Sequence, residues 1–112
     1  MKDTVILVTR QGMGSADEGL QMKLLGTYLK LLLENGLVPG AICFYTDGVK
    51  TAIDGSPVLD ALAELEKRGS HLILCQTCLT AFGLLDRVKI GIVGGMGDIQ
   101  AAQAKAAKVI SL

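Results

Sequence analysis

The chain has 112 residues, of which 50% are hydrophobic, and its 11 basic and 11 acidic residues give a formal net charge of zero. This length and composition predict a single domain over residues 1–112 with ample material for a core. Because neither sign of charge forms a run, the sequence predicts no nucleic-acid partner and no attraction to an anionic membrane surface.

The sequence also shows no membrane-spanning run, no signal-peptide core and no disulfide framework. No apolar run approaches the roughly 18 residues that span a bilayer, and the run Val5-Ile6-Leu7-Val8 is too short for a signal-peptide core. The three cysteines are an odd number without the spacing of a secreted disulfide framework. The sequence therefore predicts a cytoplasmic protein that does not associate with membranes.

Strand-like and helix-like stretches alternate along the whole chain, which is typical of a parallel sheet with helices on both faces. The predicted strands are Thr4 to Thr9, Ala41 to Thr46, His71 to Leu74, Lys89 to Val93 and Lys108 to Ser111. The predicted helices cover residues 18–34, 57–68, 77–84 and 99–106. The fold class is therefore predicted as α/β, a three-layer α/β/α sandwich with a five-stranded, mostly parallel sheet.

The first predicted helix carries two apolar stripes, whereas packing on one sheet face usually needs only one. The stripes consist of Leu20, Leu24, Tyr28 and Leu31, and of Leu25, Leu29, Leu32 and Leu33. The second stripe indicates either a subunit interface or a deeply buried helix.

Capping residues predict where two other helices begin. Ser56 is expected to cap the second helix with Pro57 as its first residue, and Asp98 is expected to cap the fourth helix.

Cys75 and Cys78 stand where the apolar run of residues 71–74 ends, so they are predicted to lie at the carboxyl end of a strand. Open α/β sheets place their chemistry at that edge. A thiol at a strand-to-helix turn meets unpaired backbone N–H groups, which favour the thiolate. The spacing also permits a redox pair. The sequence thus predicts a reactive sulfur on one of the two cysteines.

The loops after the first, second and fourth strands should emerge at the same edge as the cysteines. They would form a shallow, glycine-lined rim, because glycine lets a ligand approach the backbone closely. The alternative is that these glycines only satisfy turns with positive φ. The candidate rim residues are Gly12, Gly14, Asp47, Gly48, Gln76, Thr77, Gly94, Gly95 and Met96.

Metal and dinucleotide sites are not expected. Cys43 lies inside the second strand, and His71 is about 13 Å from Cys75 at the rise of a strand, so neither completes a zinc site. Gly12 and Gly14 imitate part of a dinucleotide fingerprint, but its third glycine and the second half of such a fold are missing. We therefore expect no metal and no cofactor.

Three motifs in chain order resemble a known family. They are the turn Asp47-Gly48-Val49-Lys50, the segment Leu74-Cys75-Gln76-Thr77-Cys78-Leu79, and the run Ile90-Gly91-Ile92-Val93 followed by Met96 and Asp98-Ile99. Over essentially the whole chain this order resembles the DsrE/DsrF-like family. It is similar in particular to the DsrE-like domain of the YedF selenium-metabolism proteins and to the small YchN-like proteins.

The resemblance implies a three-layer domain that assembles as homo- or hetero-oligomers. It also implies sulfur relay as a persulfide on the cysteine at the end of the third strand, which by position is Cys75, with Cys78 completing the Cys-x-x-Cys form of the motif. A sulfur donor or acceptor would be a separate protein, for which a TusA-like protein is the expectation.

Our first functional hypothesis is a sulfur-relay protein that carries a persulfide on Cys75 or Cys78, with sulfur or selenium as its cargo. The alternatives are a non-catalytic oligomeric domain that binds a small ligand or acts as a scaffold, and a thiol–disulfide oxidoreductase that uses the same pair.

Overall fold

The computed structural model describes residues 1–112 and contains one five-stranded sheet in which all neighbouring strands are parallel. The strands are β1 (Thr4–Val8), β2 (Ala41–Phe44), β3 (His71–Cys75), β4 (Ile92–Gly94) and β5 (Lys108–Ser111). Their order across the sheet is β4-β3-β2-β1-β5. The predicted α/β class and five-stranded sheet are confirmed.

Four α-helices and two short 3-10 helices connect these strands. The α-helices are α1 (Glu18–Glu34), α2 (Leu59–Lys67), α3 (Gln76–Ala81) and α4 (Met96–Lys105), and the 3-10 helices are Thr46–Ala52 and Leu85–Arg87. Because crossovers between parallel strands are right-handed, α1 and α2 lie on one face of the sheet. The connection from β4 returns to the far side of β1, which places α4 on the other face. None of the helices combines the length and apolar character that crossing a membrane requires.

The centre of the sheet is buried on both faces, as in other parallel sheets. Ile42 and Cys43 are consecutive residues of β2 that point to opposite faces of the sheet, and both are completely buried. The two edge strands are less covered, since Ile92 on β4 is 57% exposed and Val109 on β5 is 43% exposed. The core therefore lies around β1, β2 and β3, whose carboxyl ends meet at one edge.

The two apolar stripes of α1 have different surroundings. Leu25, Leu29 and Leu32 are buried against the core. The other stripe faces outward, with Leu20, Leu24 and Leu31 between 45% and 49% exposed. The interpretation of α1 as a deeply buried helix is therefore wrong, because only one of its two apolar stripes is buried.

Both helix-capping predictions need correction. Ser56 accepts a hydrogen bond from the backbone N–H of Val58 at 3.3 Å, which closes a turn before α2, so the helix begins at Leu59 rather than Pro57. Gly95, not Asp98, is the N-cap of α4. Asp98 is the third helical residue and its Oδ2 accepts the N–H of Gly95 at 2.9 Å, which is the carboxylate half of a capping box.

Several predicted element ends also differ, for reasons that lie in the backbone. β4 begins at Ile92 rather than Lys89, because Gly91 has φ +74° and Val88 pairs with Ile53 in an isolated antiparallel bridge. β2 ends at Phe44 rather than Thr46, because Thr46 has φ +49° and begins a 3-10 helix.

Gly48 is the position in this 3-10 helix that permits its close approach to β1. A methyl group at Gly48 would collide with the backbone carbonyl of Val8. We expect Gly48→Ala to lower the free energy of unfolding by about 1–3 kcal/mol or more, the usual cost of overpacking. Thermal and urea unfolding measure this loss.

Gly97→Ala is the matched control, because a methyl at Gly97 meets open space on α4 and replaces glycine in a helix. We expect this variant to be neutral or up to about 1 kcal/mol more stable. Equal stabilities of the two variants would contradict the close-approach explanation.

Cys43 makes stability dependent on pH. Its side chain is completely buried, and burial raises the pKa of the thiol to about 11. The unfolded thiol has a pKa of about 8.5, so above that pH the unfolded state loses its proton first. The stability contributed by the neutral buried thiol is therefore lost as pH rises from about 8.5 towards about 11.

We expect Cys43→Ala to be less stable than the wild type at neutral pH, because it leaves a small cavity. Its disadvantage should shrink as pH rises through this window, since it lacks the titrating thiol. Urea unfolding of both proteins at about pH 7.5 and about pH 10.5 measures the effect, and a constant difference would contradict it.

Candidate functional site

The predicted cysteine pair lies at the carboxyl edge of the sheet. Cys75 is the last residue of β3, and Cys78 is the third residue of α3, which begins at Gln76. Both thiols are free, and they lie close enough for Cys75 to influence the ionisation of Cys78. Cys75 is only 2% exposed, whereas Cys78 is half-buried. Cys78 is therefore the thiol of the pair that solvent reaches more readily.

Thr46 holds the sulfur of Cys78 from the neighbouring strand end. Its backbone N–H donates a hydrogen bond to Sγ of Cys78 at 3.0 Å. Thr46 is the only non-glycine residue with positive φ, a conformation that is rare for a β-branched side chain. Its hydroxyl lies 2.5 Å from the carbonyl oxygen of Thr9 and 2.7 Å from that of Tyr45, and donates to these acceptors. The chain segments that follow β1 and β2 thus fix a strained residue whose N–H points at a sulfur.

The ionisation of Cys78 reflects opposing effects. Burial is the largest and raises the pKa of Cys78, while the Thr46 N–H lowers this pKa by a smaller amount. The Cys75 thiol raises the pKa of Cys78 further through a hydrogen bond and through its charge when ionised. The net direction is upward, opposite to the sequence prediction of a favoured thiolate. The reason is that the loss of solvent outweighs the Thr46 N–H, which is the contact that favours the thiolate.

Part of the predicted glycine rim serves internal packing. Gly12 and Gly14 have φ of +128° and +76°, and Gly12 lies against the backbone of Gln21. Gly48 lies against Val8, as described above, and Asp47 pairs with Lys50, Nζ to Oδ1, at 2.9 Å. At Gly12 and Gly48 the closely approaching group is therefore the chain's own backbone.

The other rim residues do lie together beside the cysteine turn. Gln76, Thr77 and Gly95 line a shallow pocket of about 450 Å³ together with Thr80 and Ala81. The last two were not predicted, although the helical spacing from Thr77 could have identified them.

The start of α4 borders the same turn. Gly94 is paired in register with Cys75, and Met96 at the start of α4 is 53% exposed. The structure thus brings Gln76, Thr77, Gly94 and Gly95 close to the cysteine turn.

Sequence reasoning missed a second and larger cleft of about 500 Å³. Its lining includes Lys50 from the 3-10 helix and Phe82 from the residues that follow α3. The Nζ of Lys50 lies 4.3 Å from the centroid of the Phe82 ring, a cation–π contact. Lys50 follows Thr46 by four residues and Phe82 follows Cys78 by four, but no local pattern in the sequence joins these two distant segments.

The remaining candidate ligands do not converge. His71 is exposed at the start of β3, and Cys43 is buried within β2. No group of three or more His, Cys, Asp or Glu side chains is close enough to hold a metal ion.

Thr46→Val tests the role of the Thr46 hydroxyl. Loss of its hydrogen bonds should release the left-handed backbone and withdraw the N–H from Cys78, so the pKa of Cys78 should rise further. We expect alkylation of Cys78 at neutral pH to slow by about two- to tenfold, the factor for a hydrogen bond worth about 0.5–1.5 kcal/mol.

Peptide mass spectrometry after timed iodoacetamide treatment, across a range of pH, measures this rate. Thr46→Ser keeps the hydroxyl and should retain the wild-type profile. Identical profiles for the valine and serine variants would contradict the role of the hydroxyl.

The fold has counterparts among solved structures. The YchN protein from E. coli matches with a TM-score of 0.72 and 20% identity over 100% of both chains. MTH1491 from Methanobacterium thermoautotrophicum, described as a protein of unknown function, matches with a TM-score of 0.68 and 21% identity over 97% of both chains. BT1422 from Bacteroides thetaiotaomicron, also described as of unknown function, matches with a TM-score of 0.68 and 20% identity over 97% of this chain and 93% of its own.

At these identities the likeness concerns the fold alone. A search of the curated proteins finds no match. The sequence itself matches the model of the DsrE/DsrF-like family over residues 2–112, which is nearly its full length. The chain therefore belongs to the DsrE/DsrF-like family.

Proposed function

We propose that this chain is a sulfur-relay protein that accepts a sulfane sulfur on Cys78 as a persulfide and passes it to a partner. The observation that carries the proposal is the geometry of Cys78. It is the more accessible thiol of an adjacent pair, and its sulfur receives the Thr46 N–H at 3.0 Å. A persulfide carrier needs one such thiol and no acid–base constellation.

Loading is an exchange at sulfur. The Cys78 thiolate attacks the outer sulfur of a donor persulfide R–S–SH, the donor's S–S bond breaks, and Cys78–S–SH and R–SH are formed. One sulfur atom moves, the proton of the Cys78 thiol ends on the released R–SH, and no external oxidant is needed. Because the thiolate is the attacking form, the loading rate increases with pH, and the raised pKa of Cys78 moves this increase to higher pH. The Thr46 N–H stabilises the negative charge on Sγ during the attack.

Delivery to an acceptor thiol is the same exchange in reverse. Cys75 supplies a second route, because it lies beside Cys78. Its thiolate can attack Sγ of the Cys78 persulfide, which forms a Cys75–Cys78 disulfide and releases the outer sulfur as hydrogen sulfide. A dithiol reductant then restores both thiols. The family resemblance favours Cys75 as the carrier, whereas the exposure of the two side chains favours Cys78 as the point of entry.

The proposal includes partners and a compartment. A separate protein, TusA-like by the family resemblance, donates or accepts the sulfur or selenium cargo in the cytoplasm. We also propose that the chain acts as a homo-oligomer. The exposed leucines of α1 support this, because a monomer leaves their apolar surface in water.

A thiol–disulfide oxidoreductase is the second candidate. The adjacency of Cys75 and Cys78 supports it, because a bridge between them requires close sulfurs. This function would cycle the disulfide without retaining extra sulfur.

Intact-protein mass spectrometry after incubation with a sulfane-sulfur donor tests the proposal. We expect the wild type to gain one sulfur atom and Cys78→Ser to gain none. Cys75→Ser should load and keep the sulfur longer, because the internal release route is lost. Cys43→Ala is the matched control and should load like the wild type, since Cys43 is completely buried.

Loading that survives in Cys78→Ser would overturn the assignment of that cysteine. No added sulfur on folded, reduced protein would favour the binding or scaffold function. A disulfide that cycles without retained sulfur would favour the oxidoreductase.

A further inference from the structure

Phe82 lines the larger cleft and also caps the carboxyl end of α3, the helix that carries Cys78. The 3-10 helix Thr46–Ala52 packs against α3 and the residue that follows it, Phe82. Thr46 contacts Cys78 in one pair, and Lys50 contacts Phe82 in the other, each partner four residues further along. Residues four apart on an α-helix lie about 5–6 Å apart at their Cβ atoms. Phe82, which lines the cleft, is therefore about one helical turn from Cys78 along α3.

Lys50 and Arg87 line this cleft, and each has hydrogen-bond donors without a protein acceptor. Lys50 gives one contact to the Asp47 carboxylate, and an ammonium group has three donors. Arg87 donates from Nε to Oδ1 of Asp54 at 2.6 Å and from Nη2 to the Asp54 carbonyl at 3.4 Å, while Nη1 has no protein partner. The side chain of Lys50 is 32% exposed and that of Arg87 is 48% exposed. Anionic groups of a ligand can reach these donors.

The lining offers both signs of charge. Asp54 is the acidic residue of the lining, and it lies beside Arg87. An arginine next to an aspartate matches the carboxylate and ammonium groups of an α-amino acid. Met22, Ile53 and Leu84 supply apolar lining for the stem of such a molecule. The volume of about 500 Å³ lies within the range of small-molecule sites.

We propose that the cleft lined by Lys50, Asp54, Phe82 and Arg87 binds a low-molecular-weight persulfide derived from an amino acid or short peptide thiol, and presents it to Cys78. This inference rests on the proposed function and names its donor class. The step is R–S–SH + Cys78–SH → Cys78–S–SH + R–SH, in which R carries the carboxylate and ammonium groups. The donor's S–S bond breaks, a new S–S bond forms on Cys78, and protons and electrons balance without a further reactant.

Binding is measured without sulfur transfer. S-methylglutathione carries the charged groups but has no free sulfur to exchange, so NMR titration of the wild type reports the cleft alone. We expect shifts at Lys50, Phe82 and Arg87, and affinity at least fivefold weaker in Lys50→Gln and Arg87→Gln. Lys50→Arg keeps the charge and should retain binding. Lys30→Gln removes an exposed cation elsewhere on α1 and should bind like the wild type.

Loading rates then test the donor class. We expect glutathione persulfide to load the wild type at least fivefold faster than the uncharged persulfide of 2-mercaptoethanol. The ratio of the two loading rates should fall towards one in Lys50→Gln and stay at the wild-type value in Lys30→Gln. Equal rates for the two donors in the wild type, or shifts that avoid the cleft, would overturn the inference while the proposed function stands. Loading by neither donor would overturn the proposed function, and the titration would still decide whether the cleft binds the ligand.

Discussion

The packing of residues 46–52 against the end of β1 determines where both sets of candidate functional groups lie. The N–H of Tyr45 donates to the Val8 carbonyl at 3.2 Å, and Gly48 then lies against the same carbonyl. This approach requires a residue without a side chain. It fixes Thr46 beside the sulfur of Cys78 and Lys50 beside the ring of Phe82. Gly48 was predicted to bind a ligand, but it packs against the backbone of β1. It affects the site only by setting the positions of Thr46 and Lys50.

The sequence predicted the sheet well because alternation of strands and helices is a signal of long range, repeated over the whole chain. It also predicted that the cysteines would lie at the carboxyl edge. It did not predict Thr46, because a left-handed β-branched residue contradicts local propensity and is held by the distant Thr9 carbonyl. The cleft at Lys50 was missed for a similar reason, since its lining comes from loops and helices far apart in the chain.

The direction of the Cys78 pKa shows how burial and a hydrogen bond to sulfur compete. The sequence indicates a helix start but not how much solvent the sulfur loses. In the folded chain the loss of solvent has the larger effect. A thiol that is mostly protonated reacts slowly with general oxidants and needs a bound donor to raise its effective concentration. A binding site lined by Phe82, one helical turn from Cys78, would supply that concentration, which links the two proposals through one physical requirement.

The three cysteines of this chain differ in burial because of where the fold places them. Cys43 sits in the middle of a strand with no exposed surface, Cys75 ends the next strand, and Cys78 reaches the surface one turn later. In this order the three side chains change from completely buried at Cys43 to partly exposed at Cys78. A protein with this arrangement holds three thiols and leaves only one of them within reach of solvent, so the depth of a cysteine in the sheet decides which sulfur a reagent meets first.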